Sequence, residues 1–156
     1  RFTLINAHLK SKRPIAMADQ AEMRLEEARA LRRLVDKRLT TNPTENLLLV
    51  GDLNDSPAND PVRTLIGRGA PKLIDLRPFE SSGGIAAYQA NSRNKSRGVT
   101  WTYLYAKEDQ FNRFDYILAS QGIYKEYVGS YVKSQNDWGV ASDHRIVVAK
   151  FTARNR

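Results

Sequence analysis

The spacing of hydrophobic and polar residues along the chain predicts both helices and strands. From about Met17 to Leu39, apolar residues recur at three- and four-residue steps, which is the period of an amphipathic helix. A second helix is predicted to start at Asn59–Pro61, with Asp60 as its cap, and to end at Gly67. Leu47 to Val50 form an apolar run with the length and bulk of a strand that is buried on both faces.

The opposite face of the first predicted helix is charged, and it is predicted to face solvent. It carries Arg24, Glu27, Arg32, Arg33, Lys37 and Arg38.

Further short runs rich in aromatic and β-branched residues predict the other strands. They are Arg1–Asn6, Lys72–Leu76 as a brief strand or turn, Thr100–Ala106, Arg113–Ala119, Glu126–Lys133 and Arg145–Thr152. The polar sequence KEDQFN separates Thr100–Ala106 from Arg113–Ala119, which predicts that these two strands pair with each other. Glu80 to Gly98 is predicted to be a long loop. Strands alternating with helices and followed mostly by strands indicate an α/β fold of sheets covered by helices.

Polar residues follow directly after apolar strands in several places. In LLLVGDLNDSP, Asp52 and Asn54 follow the buried run, at the strand end where α/β folds gather binding and catalytic groups. Asp115 lies in the apolar sequence FDYIL, where a carboxylate is costly to bury without a partner. The chain has two histidines, His8 and His144, each at a strand boundary. An imidazole is a natural partner for Asp115, and an ion pair with an arginine such as Arg113 is the alternative.

Composition narrows the class of protein further. Against 17 Asp and Glu residues there are 25 Lys and Arg residues, so the formal charge is +8 and the sequence pI is about 9.9. This balance favours anionic partners such as nucleic acid or phosphorylated metabolites, although a solvated basic surface is equally compatible with it. The absence of cysteine excludes disulfides and thiolate metal sites. No apolar run approaches the length of a membrane span. The chain opens on a strand pattern without an initiator Met, which predicts a natural start further upstream.

Four motifs in a fixed order resemble one known family. INAHLK, LLLVGDLND, RFDYIL and SDH are similar to the later motifs of the endonuclease/exonuclease/phosphatase superfamily, which includes DNase I-like and exonuclease III-like enzymes. The resemblance extends from Asn6 to Val148. The sequence TWTY at Thr100–Tyr103 is also similar to the abasic-site endonuclease branch.

The resemblance implies a four-layer α/β/β/α sandwich that hydrolyses a phosphodiester or phosphomonoester with Mg²⁺ or Mn²⁺, by in-line attack of an activated water. Asp52 and Asn54 match the pair that positions this water and contacts the phosphate. His144 matches the general base or phosphate-polarising histidine, held by Asp115. Asp143 matches the acid near the metal or its waters, so the metal residues are Asp143 and Asp52.

Further candidate residues come partly from the resemblance and partly from the residue types alone. His8 matches the histidine that DNase I-like members use against the phosphate or the leaving group, and Asn6 lies beside it. Candidate substrate-binding residues are Asn6, Trp101, Tyr103 and Trp138; the three aromatic residues could equally pack only against the protein. The basic residues Arg93, Lys95 and Arg97 of the long loop could hold a DNA backbone or face solvent.

The length of the chain leads to an expectation about its partner. Sandwiches of this kind run to about 200 to 250 residues as one domain, and this chain has 156. We therefore expect residues 1–156 to be the C-terminal portion of a single domain. Its N-terminal half, with an Asn and a metal-binding Glu, would come from the same polypeptide or from a separate chain. The alternative is a half-domain that has lost catalysis.

Three functions follow as hypotheses. A metal-dependent nuclease is favoured modestly by the positive charge and by TWTY. A phosphatase of the same family acting on a small molecule or a lipid is the second. The third is a non-catalytic nucleic-acid-binding module, which would bind in a salt-dependent way without turnover.

Overall fold

The computed structural model of the chain describes residues 1–80, 101–133 and 136–152. In chain order, the elements are β1 (Thr3–Asn6), α1 (Gln20–Thr41), β2 (Leu47–Asp52), α2 (Asp60–Ile66), β3 (Ile74–Asp75), β4 (Phe79–Glu80), β5 (Tyr103–Tyr105), β6 (Gln110–Asn112), β7 (Asp115–Ala119), α3 (Gln121–Tyr124), β8 (Tyr127–Val132) and β9 (Val147–Phe151).

A four-stranded sheet in the order β1-β2-β7-β3 forms the centre of the fold. β1 pairs with β2 in parallel, whereas β7 is antiparallel to both β2 and β3. The β2–β7 register places Asp52 directly opposite Asp115. The two acids that the sequence analysis selected are therefore neighbours across two strands.

The continuous apolar run of β2 is explained by burial on both faces, because successive side chains of a strand point to opposite sides. Leu47 and Leu49 pack with residues of α1 and α2 in one core cluster, which contains Ala28, Val35, Leu39, Val62 and Leu65. Leu48 and Val50 belong to a second cluster on the other face, with Tyr127, Ala149 and Phe151.

The second sheet has the order β4-β8-β9, and its β8 and β9 residues supply the far side of that second cluster. The described residues thus stack as helices, sheet and sheet. The predicted α/β class with two packed sheets is confirmed. Among the described residues, no helix is long and apolar enough to cross a membrane.

Several local predictions need correction. α1 begins at Gln20 rather than near Met17, because the Asp19 carboxylate caps it by accepting from the backbone N–H groups of Ala21 and Glu22. The cap of α2 is Asn59, and Asp60 is the first helical residue.

The predicted solvent-facing set on α1 is wrong for Arg24 and Arg32, which are buried. Each finds acceptors inside the protein. Arg24 pairs with Asp55, and Arg32 donates to the backbone oxygens of Leu65 and Ile66 at the end of α2.

The predicted pairing of Thr100–Ala106 with Arg113–Ala119 is also wrong. β5 pairs with β6, which lies inside the segment predicted as a connection, whereas β7 is the neighbour of β2 and β3. The apolar residues of β7 are buried in the central sheet, and this burial determines its pairing. β4 and α3 were not predicted; of the predicted loop from Glu80, residues 81–98 lie outside the described residues, as do Arg93, Lys95 and Arg97.

Candidate active site

Gly51 allows the end of β2, with Asp52, to pack closely against the residues that follow β1. Gly51 has φ 130°, and a Cβ at this position would lie 1.9 Å from the backbone oxygen of Ala7. No side chain fits between β1 and β2 at this point. Asp52 is therefore held at the strand end, beside the loop that follows β1.

His144 lies between two carboxylates that come from different strands. Its Nδ1 atom is 2.8 Å from Oδ2 of Asp115, and its Nε2 atom is 3.8 Å from Oδ2 of Asp52. Asp115 is the first residue of β7 and His144 lies shortly before β9. The arginine alternative for Asp115 is not used, because Arg113 makes a two-pronged ion pair with Asp75 instead.

His8 lies on the other side of Asp52, just after β1. Its Nε2 atom is 3.5 Å from Oδ2 of Asp52, and its side chain is 73% exposed. Asn6 precedes it, and its Oδ1 atom is 3.0 Å from the position that a Cβ on Gly51 would take. His8 therefore borders the carboxylate of Asp52 and is open to an incoming molecule, whereas Asn6 lies against Gly51.

The side chain of Asn54 is used inside the protein. Its backbone is left-handed, with φ 51°, and its Nδ2 group donates to Leu9 O at 2.9 Å and to Asp52 Oδ2 at 3.1 Å. Its backbone N–H donates to Oδ1 of Asp52 at 2.8 Å. Asn54 thus fixes the Asp52 carboxylate, and a contact between its amide and a phosphate would replace the bond to Asp52.

The surroundings raise the pKa values of both Asp52 and His144. Burial raises the pKa of Asp52, and the charge of Asp115 raises it further, against the hydrogen bond from Asn54. Burial alone would lower the pKa of His144. The hydrogen bond and charge of Asp115, with the charges of Asp52 and Asp143, outweigh burial and raise that pKa.

The same residues could hold a divalent cation. Asp52, Asp115 and His144 each offer a ligand atom, and these atoms all lie within 4.8 Å of one another. Carboxylate oxygens suit Mg²⁺ and Mn²⁺, which in proteins are often bound through one or two carboxylates together with water and substrate oxygens. The donor set fits such an ion. Asp143 is exposed and lies outside this group, although its charge acts on His144.

The three aromatic candidates lie at one side of the site. The ring of Tyr103 is 4.8 Å from the imidazole of His144 and 5.4 Å from Phe114. Trp101 and Trp138 contact each other edge to face, with ring centroids 5.2 Å apart. Tyr103 therefore contacts His144, whereas Trp101 packs on Trp138, on Phe111 and on the guanidinium of Arg145.

An ion pair beneath the site was missed in the sequence. The Asp55 carboxylate, which follows Asn54, accepts from Nε of the buried Arg24 at 2.8 Å, and Nζ of Lys12 lies 3.5 Å from it. The same Arg24 donates to Lys10 O. Burial opposes the charge of Asp55, but hydrogen bonds from Asn59 and Arg24 outweigh it and lower the pKa of the carboxyl. In the sequence, the signal for this ion pair was Asp55, the second acid of the GDLND motif.

A cavity of about 720 Å³ lies at the opposite end of the sheet. Its lining includes Arg1, Leu34, Arg38 and Glu45, none of which belongs to the site. We place the site by its chemistry and by the strand ends rather than by this cavity.

The arrangement of sheets and helices occurs in several solved structures. The 3′ phosphatase NExo from Neisseria, bound to product DNA hairpin, matches with a TM-score of 0.68 and 19% identity, over 96% of this chain and 60% of that one. An AP endonuclease from Archaeoglobus fulgidus matches with a TM-score of 0.64 and 17% identity, over 95% and 60%. A mannosyl-6-phosphatase from Bacteroides thetaiotaomicron matches with a TM-score of 0.57 and 16% identity, over 96% and 50%.

These likenesses show that the chain has the DNase I-like α/β fold, and that it spans 60% of the length of the first two proteins. A model of the endonuclease/exonuclease/phosphatase family matches residues 11–144, so the chain belongs to that family. No curated protein sequence is significantly similar to it. The expected N-terminal half of the domain stays a prediction.

Proposed function

We propose that this chain carries most of the active site of a phosphoesterase that uses Mg²⁺ or Mn²⁺ and hydrolyses a phosphate ester by attack of water. The observation that supports this most strongly is the placement of His144 within 2.8 Å of Asp115 and 3.8 Å of Asp52. Hydrolysis of a phosphate ester needs a positioned nucleophile, proton transfer and positive charge near the developing oxyanions.

The roles follow from the electrostatics. Asp52, whose pKa is raised, accepts a proton from the attacking water, and Asn54 orients its carboxylate. His144, whose pKa is also raised, keeps its proton at higher pH than an ordinary histidine and stabilises the charge on the phosphate oxygens. The exposed His8 lies within reach of the leaving group. A divalent cation held by Asp52 and Asp115, with Asp143 nearby, supplies further charge stabilisation when it is bound.

A nucleic-acid substrate is the preferred proposal within this class. Lys10, Lys12 and Arg13 follow His8 in the sequence, and Lys12 lies 4.9 Å from the centre of the Phe114 ring beside Tyr103. Cations at the border of the site suit flanking phosphates of a polyanion. Two of the solved structures with this fold are named as a DNA-bound 3′ phosphatase and an AP endonuclease.

The test uses the full-length protein with plasmid DNA, an abasic oligonucleotide, the diester bis-p-nitrophenyl phosphate and the monoester p-nitrophenyl phosphate, each with Mg²⁺, Mn²⁺ or chelator. We expect turnover that chelator abolishes and that His144→Ala reduces by at least about a hundredfold, a typical effect of removing a group that stabilises developing oxyanion charge. Glu22→Gln, an exposed acid on α1, is the control and retains activity.

The rivals predict different results in the same assay. A small-molecule or lipid phosphatase releases inorganic phosphate from monoesters and leaves DNA intact. A non-catalytic binding module retains DNA in a salt-dependent way, with no turnover and no response to chelator or to His144→Ala. That last result would refute the proposal.

A further inference from the structure

The two residues of the Asp115–His144 pair come from separate parts of the fold. Asp115 begins β7 in the central sheet, whereas His144 precedes β9 in the second sheet. They are 29 residues apart in the sequence, and their side chains meet at 2.8 Å. A hydrogen bond of this length requires the two backbones to keep a fixed relation to each other.

One buried residue contacts both backbones. Thr102 is completely buried, and its hydroxyl oxygen accepts from the backbone N–H groups of Phe114 at 3.1 Å and Asp115 at 3.2 Å. Its backbone oxygen accepts from the N–H of Arg145, the residue after His144, at 2.7 Å. Its own N–H donates to Asn112 O at 2.8 Å.

The pairing of β7 explains why the side chain of Thr102 makes the bonds to Phe114 and Asp115. β3 pairs with β7 only at Leu118 and Ala119, far from the start of β7. On the side of β7 that faces away from β2, the hydroxyl of Thr102 accepts from the N–H of Asp115 in place of a neighbouring strand. Tyr103 extends the contact on the other side, because it forms an isolated antiparallel bridge with His144.

From these contacts we propose that Thr102 is a positioning residue, which sets the distance between Asp115 and His144 by hydrogen-bonding to the backbone at Asp115 and at Arg145, the residue after His144. The proposal deepens the proposed function and rests on it for its kinetic consequence. A catalytic group displaced by about 1 Å can lose two orders of magnitude in rate. Thr102 does not itself contact substrate in this proposal, so its loss affects turnover more than binding.

The matched variants are Thr102→Val and Thr102→Ser. Valine has the shape of threonine but no hydroxyl, so it leaves two buried N–H groups without their acceptor. Serine keeps the hydroxyl and loses only a methyl group. We expect kcat of the full-length protein to fall at least tenfold in Thr102→Val with KM changed less than threefold, and Thr102→Ser to restore kcat to within threefold of wild type.

A second measurement is independent of turnover. In NMR spectra at low temperature, a His144 Nδ1–H group bonded to Asp115 gives a low-field proton signal, assigned by its loss in His144→Asn. We expect this signal, and the exchange protection of the Phe114 and Asp115 amides, to be lost in Thr102→Val and kept in Thr102→Ser.

The two measurements separate the two claims. Absence of turnover in the wild-type protein refutes the proposed function, whereas the NMR comparison still decides the role of Thr102. Equal spectra for Thr102→Val and wild type, or equal losses in Thr102→Val and Thr102→Ser, would overturn it. If Thr102→Val does not fold, Thr102→Ala, which also lacks the hydroxyl, is compared with Thr102→Ser in the same way.

Discussion

At the scale of single residues, the site brings together two groups whose charges depend on each other. Burial alone would lower the pKa of His144, so that the imidazole would lose its proton at a lower pH than usual. The bond from Asp115 reverses that effect. The pKa of Asp52 is raised as well, by its burial and by the charge of the same Asp115, so Asp52 holds a proton more readily than an exposed aspartate.

Replacing Asp115 by Asn should lower the pKa of His144 toward the ordinary value of about 6.5, because the charge that raises it is removed and the amide oxygen of Asn is a weaker acceptor than a carboxylate. The His144 Cε1–H chemical shift, followed by NMR against pH, measures the change. Asp109→Asn, at an exposed hairpin position, is the control and leaves the His144 curve in place. An unchanged curve in Asp115→Asn would contradict the role given to this bond.

The hydrogen bond between Asp115 and His144 also makes the stability of the fold depend on pH. A histidine with a raised pKa in the folded state stabilises the fold fully below its unfolded value, and this contribution is lost as the pH rises through the raised value. The stability difference between wild type and Asp115→Asn should therefore include a part that is present in mild acid and shrinks as the pH rises.

At the scale of elements, α1 is tied to the loop after β2 by a charge pair that is almost fully buried. Nε of Arg24 lies 2.8 Å from Oδ2 of Asp55, with side-chain exposures of 5% and 4%. Asp55 follows Asn54 directly, and Arg24 also binds the backbone of Lys10 after His8. The helix thus braces both loops that carry site residues.

Arg24→Met should destabilise the protein by about 3 kcal/mol, because it leaves the Asp55 carboxylate buried without its main partner. Urea unfolding followed by tryptophan fluorescence measures this. Arg29→Met removes an exposed pair with Glu26 on the same helix and should change stability by less than about 1 kcal/mol. Equal effects of the two changes would show that the buried pair is no stronger than a surface pair.

The pH dependence of this variant has a defined sign. The pKa of Asp55 is lowered in the folded state, so its contribution is present above the unfolded value and is lost as the pH falls through the folded one. The difference between Arg24→Met and wild type should therefore shrink in acid.

The elements also show what the sequence could and could not predict. β2 and α1 were predicted because apolar periodicity reports burial directly, and Asp52, Asp115 and His144 were found as polar residues at strand boundaries. Strand partners were harder, since closeness in the sequence favoured the wrong neighbour for β7. Thr102 and Arg24 were missed in their structural roles because a single hydroxyl or guanidinium has no periodic signal, and its partner is identified only by the folded chain.

At the scale of the whole molecule, the site opposes the stability of the fold. Asp52 and Asp115 face each other across β2 and β7, and like charges directly opposite on neighbouring strands are destabilising. Burial of Asp52 and the charge of Asp115 raise the pKa of Asp52, so stability falls as the pH rises from the unfolded pKa through the folded one. At neutral pH the folded chain retains this penalty.

Asp52→Asn should therefore increase the free energy of unfolding by about 0.5 to 1 kcal/mol at pH 7 in the presence of chelator, the size of a cross-strand charge effect. Thermal unfolding followed by circular dichroism measures it. The gain should shrink when Mg²⁺ is added, since a cation at the carboxylates relieves the repulsion in the wild type. Asp137→Asn, at an exposed turn, should show neither effect, and a loss of stability in Asp52→Asn would contradict the penalty.

The outermost strand of the central sheet has a practical consequence for handling the protein. Among the described strands, β1 pairs only with β2, and its Leu4 side chain is 56% exposed although it lies in the same row as the buried Leu48. An uncovered edge with apolar side chains recruits other polypeptides into intermolecular hydrogen-bonded ribbons. When residues 1–156 are handled without the expected N-terminal half of the domain, refolding and storage at high protein concentration should therefore cause the chain to precipitate first through this strand, and a lysine in place of Leu4 should keep more of it in solution.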